Sequence, residues 1–336
     1  MGWVATPPLV IATSNAGAFG FLAAAVMTPD EARRAIAEVR AGTDKPFGVN
    51  FHSFQPGAAE IVEAILENAA QIRAVSFGRG PDAKMIARFK EAGILCMPTI
   101  GAAKHAQKMV QMGVDMVTVQ GGEGGGHTGS VPTTILLPQV LDAVQVPVIA
   151  AGGFGDGRGL AAALAFGAAG IAMGTRFLMT QESAPPDNVK ARYVKAGTDD
   201  ITVSTKVDGL PQRMIRNQAL DRIERSSGIG LWRRAVESGL QMKRQTKASY
   251  GDLLKAAKGM TSHGGLSLPQ AMMAAAAPMM IQRAVVDGDA DGGLMATGVV
   301  AGRLGDLPTC AELIETIMTD AHQRLAALAP LSSGAR

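Results

Sequence analysis

The part of this sequence best equipped for chemistry is the run from Val119 to Gly129, which holds six glycines and one histidine behind an apolar segment. Glycine is favoured where the backbone adopts a positive φ angle or passes close to a ligand. Histidine exchanges protons near neutral pH, so His127 is a candidate acid or base. Glu123 either orients this histidine or is a solvated residue of the loop. The run therefore predicts an active-site loop.

Two glycine turns farther along the chain indicate a phosphate site. The apolar segment Val148–Ala151 is followed by Gly152 and Gly153, and the next apolar segment ends at Gly174 and Thr175. One glycine pair alone is more often a tight turn, but two successive turns at strand ends favour a cradle of backbone N–H groups for a phosphate. The Gly-x-Gly-x-x-Gly spacing of a dinucleotide-binding fold does not follow the first predicted strand.

Several polar side chains outside these glycine runs are weaker candidates. Asn50 ends a predicted strand, where its amide either meets the carbonyl or N–H group of a ring or forms a turn. His52 lies two residues later and is a second candidate for the mouth of the fold. We expect His105 and His322 to be surface or packing residues, and His263, in a Ser-His-Gly-Gly turn, is left open. The histidines and cysteines lack metal-ligand spacing, and no Gly-x-Ser-x-Gly nucleophile motif occurs.

The elements that must position these residues alternate regularly between strands and helices. The predicted strands are Gly17–Leu22, Pro46–Asn50, Ala74–Phe77, Leu95–Ile100, Met116–Gln120, Val146–Ala151 and Ala169–Gly174. The predicted helices are Pro29–Ala41, Ala58–Ala70, Asp82–Ala92, Ala102–Met112 and Gly157–Phe166, several of them followed by a glycine C-cap. This series predicts an α/β fold, a parallel (β/α)8 barrel whose chemistry lies on the loops after the strands.

The start of the chain does not fit a complete barrel. Seven strands are predicted where eight are needed, and the sequence opens at Met1-Gly2 as a loop leading to a helix. We therefore expect that the first barrel strand is missing and that the natural reading frame begins upstream of Met1.

The pattern changes after about Glu182, where Pro185-Pro186 marks a joint. We predict a barrel over 1–182, a mostly helical cap or substrate domain over 183–286, and a return segment with a C-terminal helix packed on the barrel over 287–336. From Lys190 to Lys247, thirteen Lys and Arg residues stand against six Asp and Glu residues. This positive segment is either a solvated helical surface or a site for an anionic ligand such as a phosphate-bearing substrate.

Composition sets the broad class of protein. With 336 residues, 47% of them hydrophobic and 18% charged, the chain suits a large globular domain or a barrel with an appendage. Cys96 and Cys310 lie far apart and no leader precedes the fold, which favours a reducing cytoplasm. No long apolar run predicts a membrane span. Aromatic residues make up 4% of the chain, which disfavours nucleic acid as a partner.

Three motifs together resemble one known family, the nitronate monooxygenases, formerly called 2-nitropropane dioxygenases. These motifs are Gln120–Gly129, Ala150–Gly159 and Met173–Phe177, and the resemblance extends from Met1 to about Leu328. It implies an FMN-binding barrel with a helical second domain. Within the family, the sequences at 45–50 and 121–129 look most similar to actinobacterial steroid-ring acyl-CoA oxidoreductases.

The resemblance also implies roles for individual residues. His127 would be the catalytic base. The FMN phosphate would be held by Gly152, Gly153, Gly174 and Thr175. The isoalloxazine ring would be contacted by Asn50, Gln120 and the opening loop at Met1-Gly2. The implied cofactor-binding residues are Met1, Gly2, Asn50, Gln120, Gly126, Gly129, Gly152, Gly153, Gly174 and Thr175. The segment Met97–Gly101 lacks a lysine found in some nitronate enzymes, which leaves the substrate open.

Two reactions are compatible with this resemblance. The first oxidises a nitronate or a similar small carbanion with O2, with His127 as the base. The alternative is an FMN-dependent acyl-CoA or enoyl-thioester reductase or dehydrogenase, for which the positive segment would meet the CoA phosphates. NAD(P)H is a candidate electron donor. The predicted partner is a small-molecule substrate, without nucleic acid or membrane, and a homodimer is a candidate assembly.

Overall fold

The computed structural model of the chain describes residues 1–78, 82–226 and 268–333. These residues form two compact units. The barrel unit comprises Met1–Gly124, Thr128–Pro185 and Arg303–Arg336, and the small unit comprises Gly125–His127 and Pro186–Gly302. His263 and residues 227–247 of the positive segment lie outside the described residues.

The strands of the described residues are, in chain order, β1 Phe21–Ala23, β2 Phe47–His52, β3 Ile72–Gly78, β4 Leu95–Cys96, β5 Thr99–Ile100, β6 Val117–Gln120, β7 Gly126–His127, β8 Val148–Ala151, β9 Gly170–Ala172, β10 Ile201–Ser204, β11 Gln212–Ile215 and β12 Met295–Ala296. The helices are α1 Pro7–Asn15, α2 Pro29–Gly42, α3 Ala58–Leu66, α4 Ala83–Glu91, α5 Ala103–Gln111, α6 Thr133–Ala143, α7 Gly157–Phe166, α8 Thr175–Leu178, α9 Asp187–Lys195, α10 Gln218–Glu224, α11 Leu268–Val285 and α12 Cys310–Ser333.

The barrel unit contains two parallel sheets of four strands each. Their orders are β1-β2-β3-β4 and β5-β6-β8-β9. The chain between β4 and β5 joins the two sheets, because Met97 N–H donates to Val75 O at 2.8 Å and Pro98 O accepts from Thr118 N–H at 2.9 Å. The predicted strand at 95–100 therefore serves both sheets, although proline interrupts it. All seven predicted barrel strands are confirmed, and the α/β fold with them.

The first of these strands begins later than predicted. Gly17 has a φ angle of +91°, and the N–H groups of Gly17 and Ala18 donate to carbonyls of α1. These residues end the helix instead of starting the strand, which begins at Phe21. Among the described residues, β1 and β9 each pair with a single strand, so the expected eighth barrel strand is not one of those described.

The core of the barrel unit lies on one face of the strands. Phe47, Val49 and Phe51 of β2 are fully buried, and the Phe51 ring centroid lies 6.2 Å from that of Phe77 in an edge-on contact. Successive strand residues point to opposite faces. Asn50 consequently points away from this core. The same alternation on β6 buries the two valines and turns Thr118 and Gln120 to the other face.

Local sequence signals set the helix ends. The predicted cap of α2 is confirmed, because Thr28 and Glu31 form a reciprocal capping box ahead of the helix. The glycine C-caps are confirmed as well, since Gly93, Gly113 and Gly167 have φ angles of +72°, +92° and +100°. Only glycine adopts this left-handed conformation without strain. Among the described residues, none of the helices has both the length and the apolar content to cross a membrane.

The small unit is built around β11. This strand pairs antiparallel with β10 on one side, and β7 and β12 also pair with it. The core of the unit includes Val207, Met214, Leu220 and Leu294. These strands were not predicted, since the sequence after about residue 182 was interpreted as mostly helical. The predicted domain boundaries stay a prediction.

The contact between α7 and α12 supplies a stability test. A Cβ atom on Gly157 would lie 2.4 Å from Ile317 O and 2.6 Å from Ala321 N, both backbone atoms of α12. We expect Gly157→Ala to separate the two helices and to lower the free energy of unfolding by about 1–3 kcal/mol. Gly305→Ala is the matched control, because nothing lies within 4 Å of its added Cβ. Equal melting temperatures for the two variants would contradict the role assigned to this contact.

Candidate active site

The glycine-rich run of 121–129 is shaped largely by contacts with the protein itself. A Cβ atom on Gly121 would lie 2.5 Å from Thr133 Cα. One on Gly125 would lie 2.4 Å from Gly298 N, and one on Gly124 would lie 2.6 Å from Gln120 Nε2. Close backbone approach therefore explains several of these glycines without any ligand.

The run divides between the two units. The chain leaves the barrel unit after Gly124 and returns to it at Thr128. Between these points, β7 pairs antiparallel with β11, with Gly126 opposite Arg213 and His127 opposite Gln212. This pairing sets the position of His127. Of the two glycines beside it that were predicted to bind the cofactor, Gly126 has a φ angle of +64°, and a Cβ on Gly129 would meet no atom within 4 Å.

A buried carboxylate lies against the histidine. Nε2 of His127 is 2.7 Å from Oδ2 of Asp208, whose side chain is 8% exposed while the histidine side chain is 56% exposed. Gln212 donates from Nε2 to the same oxygen at 2.5 Å. The backbone N–H of Leu210 donates to Oδ1 at 3.1 Å. The small unit therefore presents an accessible imidazole backed by a buried acid.

The hydrogen bonds of Asp208 outweigh its burial. Burial by itself would raise the pKa of this carboxyl, but the hydrogen bond and the charge of His127 lower it, as do the bonds from Leu210 and Gln212. The net result is a pKa below the ordinary value. Asp208 is therefore ionised at neutral pH.

The predicted phosphate residues lie at the ends of β8 and β9. Gly152 and Gly153 follow β8 with φ angles of +95° and +86°, and Thr175 begins α8 after β9. A Cβ atom on Gly174 would approach only the Met1 side chain, with its Sδ at 3.2 Å. The structure thus brings the opening residue of the chain to the second turn.

The first turn packs against the glycine-rich loop. A Cβ atom on Gly152 would lie 3.0 Å from Gly121 O and 3.2 Å from Gly124 N. Glu123 does not leave its carboxylate in solvent, because it accepts hydrogen bonds from Thr133 N at 2.9 Å and from Thr133 Oγ1 at 2.7 Å. Its carboxylate therefore binds the first residue of α6.

Amide and hydroxyl groups line the strand face that points away from the core. Asn50 donates from Nδ2 to Ser76 O at 3.1 Å, and the Gln120 side chain lies against Gly124. Oγ1 of Thr118 is buried, and it has no hydrogen-bond partner among the described residues. Gly2 lies instead beside Val26, whose Cγ1 would be 2.8 Å from an added Cβ.

These groups fit an FMN cofactor. Small residues leave the backbone accessible at the ends of β8 and β9, as a phosphate requires. The amides of Asn50 and Gln120, with the buried Thr118 hydroxyl, match the donors and acceptors of a flavin ring. No cluster of three or more His, Cys, Asp or Glu side chains suited to a metal ion occurs in the described part of the chain.

Three functional candidates were not foreseen from the sequence, namely Asp208, Gln212 and Thr118. The dipeptide Asp208-Gly209 between two short β-prone segments is a hairpin signal that would have located the first two. Of the other histidines, His105 and His322 are exposed, as expected. His52 stacks on Phe54 with ring centroids 5.1 Å apart.

The parallel α/β array and the glycine turns after its last two strands are typical of the flavin-dependent barrel oxidoreductases. The sequence profile of the nitronate monooxygenase family matches residues 1–320. The chain belongs to this family and is an FMN-dependent oxidoreductase.

Particular relatives are similar over nearly the whole chain. The Mycobacterium tuberculosis protein named (3aS,4S,5R,7aS)-5-hydroxy-7a-methyl-1-oxo-octahydro-1H-indene-4-carboxyl-CoA dehydrogenase is 49% identical, over 97% of this chain and 92% of that protein. The structure of FabK from Thermotoga maritima has a TM-score of 0.78 at 32% identity, covering 98% of this chain and 93% of its own. Nitroalkane oxidase from Streptomyces ansochromogenes has a TM-score of 0.76 at 26% identity, covering 97% and 95%.

The lowered pKa of Asp208 predicts how the stability of the protein depends on pH. Because the folded-state pKa lies below the ordinary value of 3.8, the pairing stabilises the folded state above that pH and is lost as the pH falls through the folded-state pKa. We expect Asp208→Asn to lower the free energy of unfolding by about 1–3 kcal/mol at pH 6 to 7, and by less below about pH 4.

Melting temperatures of both proteins between pH 3 and 7 check this expectation. Asp221→Asn, which removes the exposed ion pair with Arg216, is the control and should leave the profile unchanged. A difference between wild type and Asp208→Asn that grows as the pH falls would contradict the assignment.

Proposed function

We propose that the protein is an FMN-dependent dehydrogenase of a carbocyclic carboxyl-CoA, with His127 as the catalytic base. The observation that carries the proposal is the 49% identity, over 97% of the chain, with the mycobacterial indene-carboxyl-CoA dehydrogenase. Nitroalkane oxidase covers the chain equally well at only 26% identity. Sequence likeness therefore supports the thioester substrate over the nitro compound.

The site supports the reaction chemically. A thioester carbonyl acidifies the adjacent C–H bond, and His127 presents an exposed imidazole able to take that proton. FMN, when bound, supplies the acceptor for the hydride that leaves the neighbouring carbon. The buried carboxylate of Asp208 stabilises the positive charge that His127 gains.

The cofactor residues remain those predicted from the sequence. Gly152, Gly153, Gly174 and Thr175 would bind the phosphate through the turns after β8 and β9. Asn50 and Gln120 would bind the flavin ring, with Met1 beside Gly174 closing the turn. Gly2, Gly126 and Gly129 stay in the proposed set without a contact that tests them.

Oxidation of a nitronate by O2 is the second candidate function, since the family profile that matches residues 1–320 is that of nitronate monooxygenase. His127 would serve as the base when the neutral nitroalkane binds, because removal of the proton next to nitrogen forms the nitronate. NAD(P)H as a donor, a homodimeric assembly and a cytoplasmic location stay proposals as well.

The phosphate cradle is tested by Gly174→Ala. The added Cβ would meet only the flexible Met1 side chain in the protein, so the melting temperature of the apoprotein should stay within about 2 °C of wild type. FMN over this turn would be displaced, and we expect its dissociation constant to rise about tenfold or more. Gly170→Ala on β9 is the matched control, because its Cβ would make an ordinary 3.7 Å contact with Ile149. Equal FMN affinity in the two variants would remove Gly174 from the cradle.

The substrate class is tested by flavin absorbance under anaerobic conditions. We expect the indene-4-carboxyl-CoA compound named above to bleach the bound FMN, and His127→Ala to slow bleaching by about 10²-fold or more with FMN still bound. Propyl-2-nitronate and NADPH are the parallel additions. Bleaching by the nitronate alone, with recovery in air, would replace the proposal with the second candidate.

A further inference from the structure

The hairpin between β10 and β11 fixes the position of the Asp208 carboxylate as well as bringing its charge close to His127. Its loop folds back so that Gly209, with a φ angle of +86°, donates from its N–H to Thr205 O at 3.0 Å. Asp208 lies in this turn. Its Oδ1 accepts a hydrogen bond from the Leu210 backbone N–H, and its Oδ2 accepts one from Gln212 Nε2. The acid is thus fixed independently of the histidine.

The position of one proton follows from this geometry. An ionised carboxylate oxygen and a bare ring nitrogen repel each other at 2.7 Å, so the contact between Asp208 Oδ2 and His127 Nε2 needs a proton between them. The imidazole is the donor, because both oxygens of Asp208 already accept hydrogen bonds, from Leu210 N–H and from Gln212 Nε2, and these bonds favour the ionised carboxylate. Nε2 of His127 therefore carries the proton in the neutral imidazole.

Gln212 reinforces the same arrangement. Its side-chain orientation is fixed, because its oxygen could not lie 2.5 Å from a carboxylate oxygen, whereas its NH2 group can donate there. The same nitrogen lies 3.3 Å from His127 Nε2. That contact is compatible with either ring tautomer, so Gln212 acts through Asp208, whose carboxylate it holds at the oxygen that faces the imidazole. Gln212 is 2% exposed, so water does not compete for these bonds.

We propose that Asp208 and Gln212 are positioning residues that hold neutral His127 in the Nε2–H tautomer, so that Nδ1 is the nitrogen that accepts the substrate proton. The inference rests on the proposed function for the identity of the substrate. The substrate would lose one proton to Nδ1, bound FMN would supply the acceptor for the hydride from the neighbouring carbon, and a double bond would form between the two carbons. The resulting imidazolium keeps its Nε2–H bond to Asp208.

The tautomer is measured directly by NMR of the FMN-loaded enzyme with 15N-labelled histidine, without substrate, at alkaline pH. His127→Gln identifies the signal. We expect the proton on Nε2 in wild type and a shift of population to Nδ1–H in Asp208→Asn, because an asparagine NH2 can donate to Nε2. Asp208→Glu should restore the Nε2–H form, and Asp221→Asn should leave it unchanged.

The kinetic consequence is measured on the same proteins. With the substrate that bleaches the flavin, we expect Asp208→Asn to lower kcat about 10²- to 10⁴-fold while KM changes by less than about threefold. Gln212→Met, which keeps the volume and removes the donor, should lower kcat about tenfold. This variant also tests the inference if Asp208→Asn does not fold.

Two results would overturn the inference. One is an Nδ1–H tautomer in the wild-type enzyme. The other is an Asp208→Asn variant that keeps both the Nε2–H form and the wild-type kcat. The NMR measurement needs no turnover, so a wild-type enzyme that ignores the CoA thioester but shows Nε2–H would end the proposed function and leave the positioning role standing.

Discussion

The structure of the site depends on the backbone pairing of β7 with β11. Two residues of the glycine-rich loop, Gly126 and His127, are hydrogen-bonded into the sheet of the small unit, although the chain on either side belongs to the barrel unit. Backbone ladders fix the strand register, and the register here sets His127 opposite Gln212. Because Gln212 also donates to Asp208, one ladder brings the imidazole, the carboxylate and the amide together.

Glycine makes this path of the chain feasible. At positions 121, 124 and 125 any side chain would collide with the backbone or with Gln120. Such close approach lets the loop after β6 pack against the turn at Gly152 before it reaches the small unit. Glycine is therefore needed at these positions for packing within the protein, whether or not a ligand binds there. Fewer positions, such as Gly174, leave the backbone accessible to a cofactor.

The barrel unit separates apolar and polar side chains onto opposite faces of its strands. Alternation along parallel strands buries the apolar side chains of β2 and β6 and leaves Asn50, Thr118 and Gln120 on the other face. A flavin needs such a polar, preorganised face, and the protein's part in its chemistry is binding, orientation and proton transfer. Membership of the nitronate monooxygenase family is consistent with this division of labour.

The sequence by itself determined the βα series and the glycine caps, because these depend on local periodicity and on the conformations that only glycine adopts. The phosphate site at the turns after β8 and β9 and the role of His127 as a base stay predictions from the sequence. The sequence did not reveal the strands β10 to β12, whose short segments are stabilised by cross-strand pairing and not by local propensity. Asp208 and Gln212 lie more than eighty residues from His127 along the chain. Only the tertiary structure brings Asp208 and Gln212 to His127, because the contact depends on the register of the β10–β11 hairpin and on the pairing of β7 with β11, which join residues far apart in the sequence.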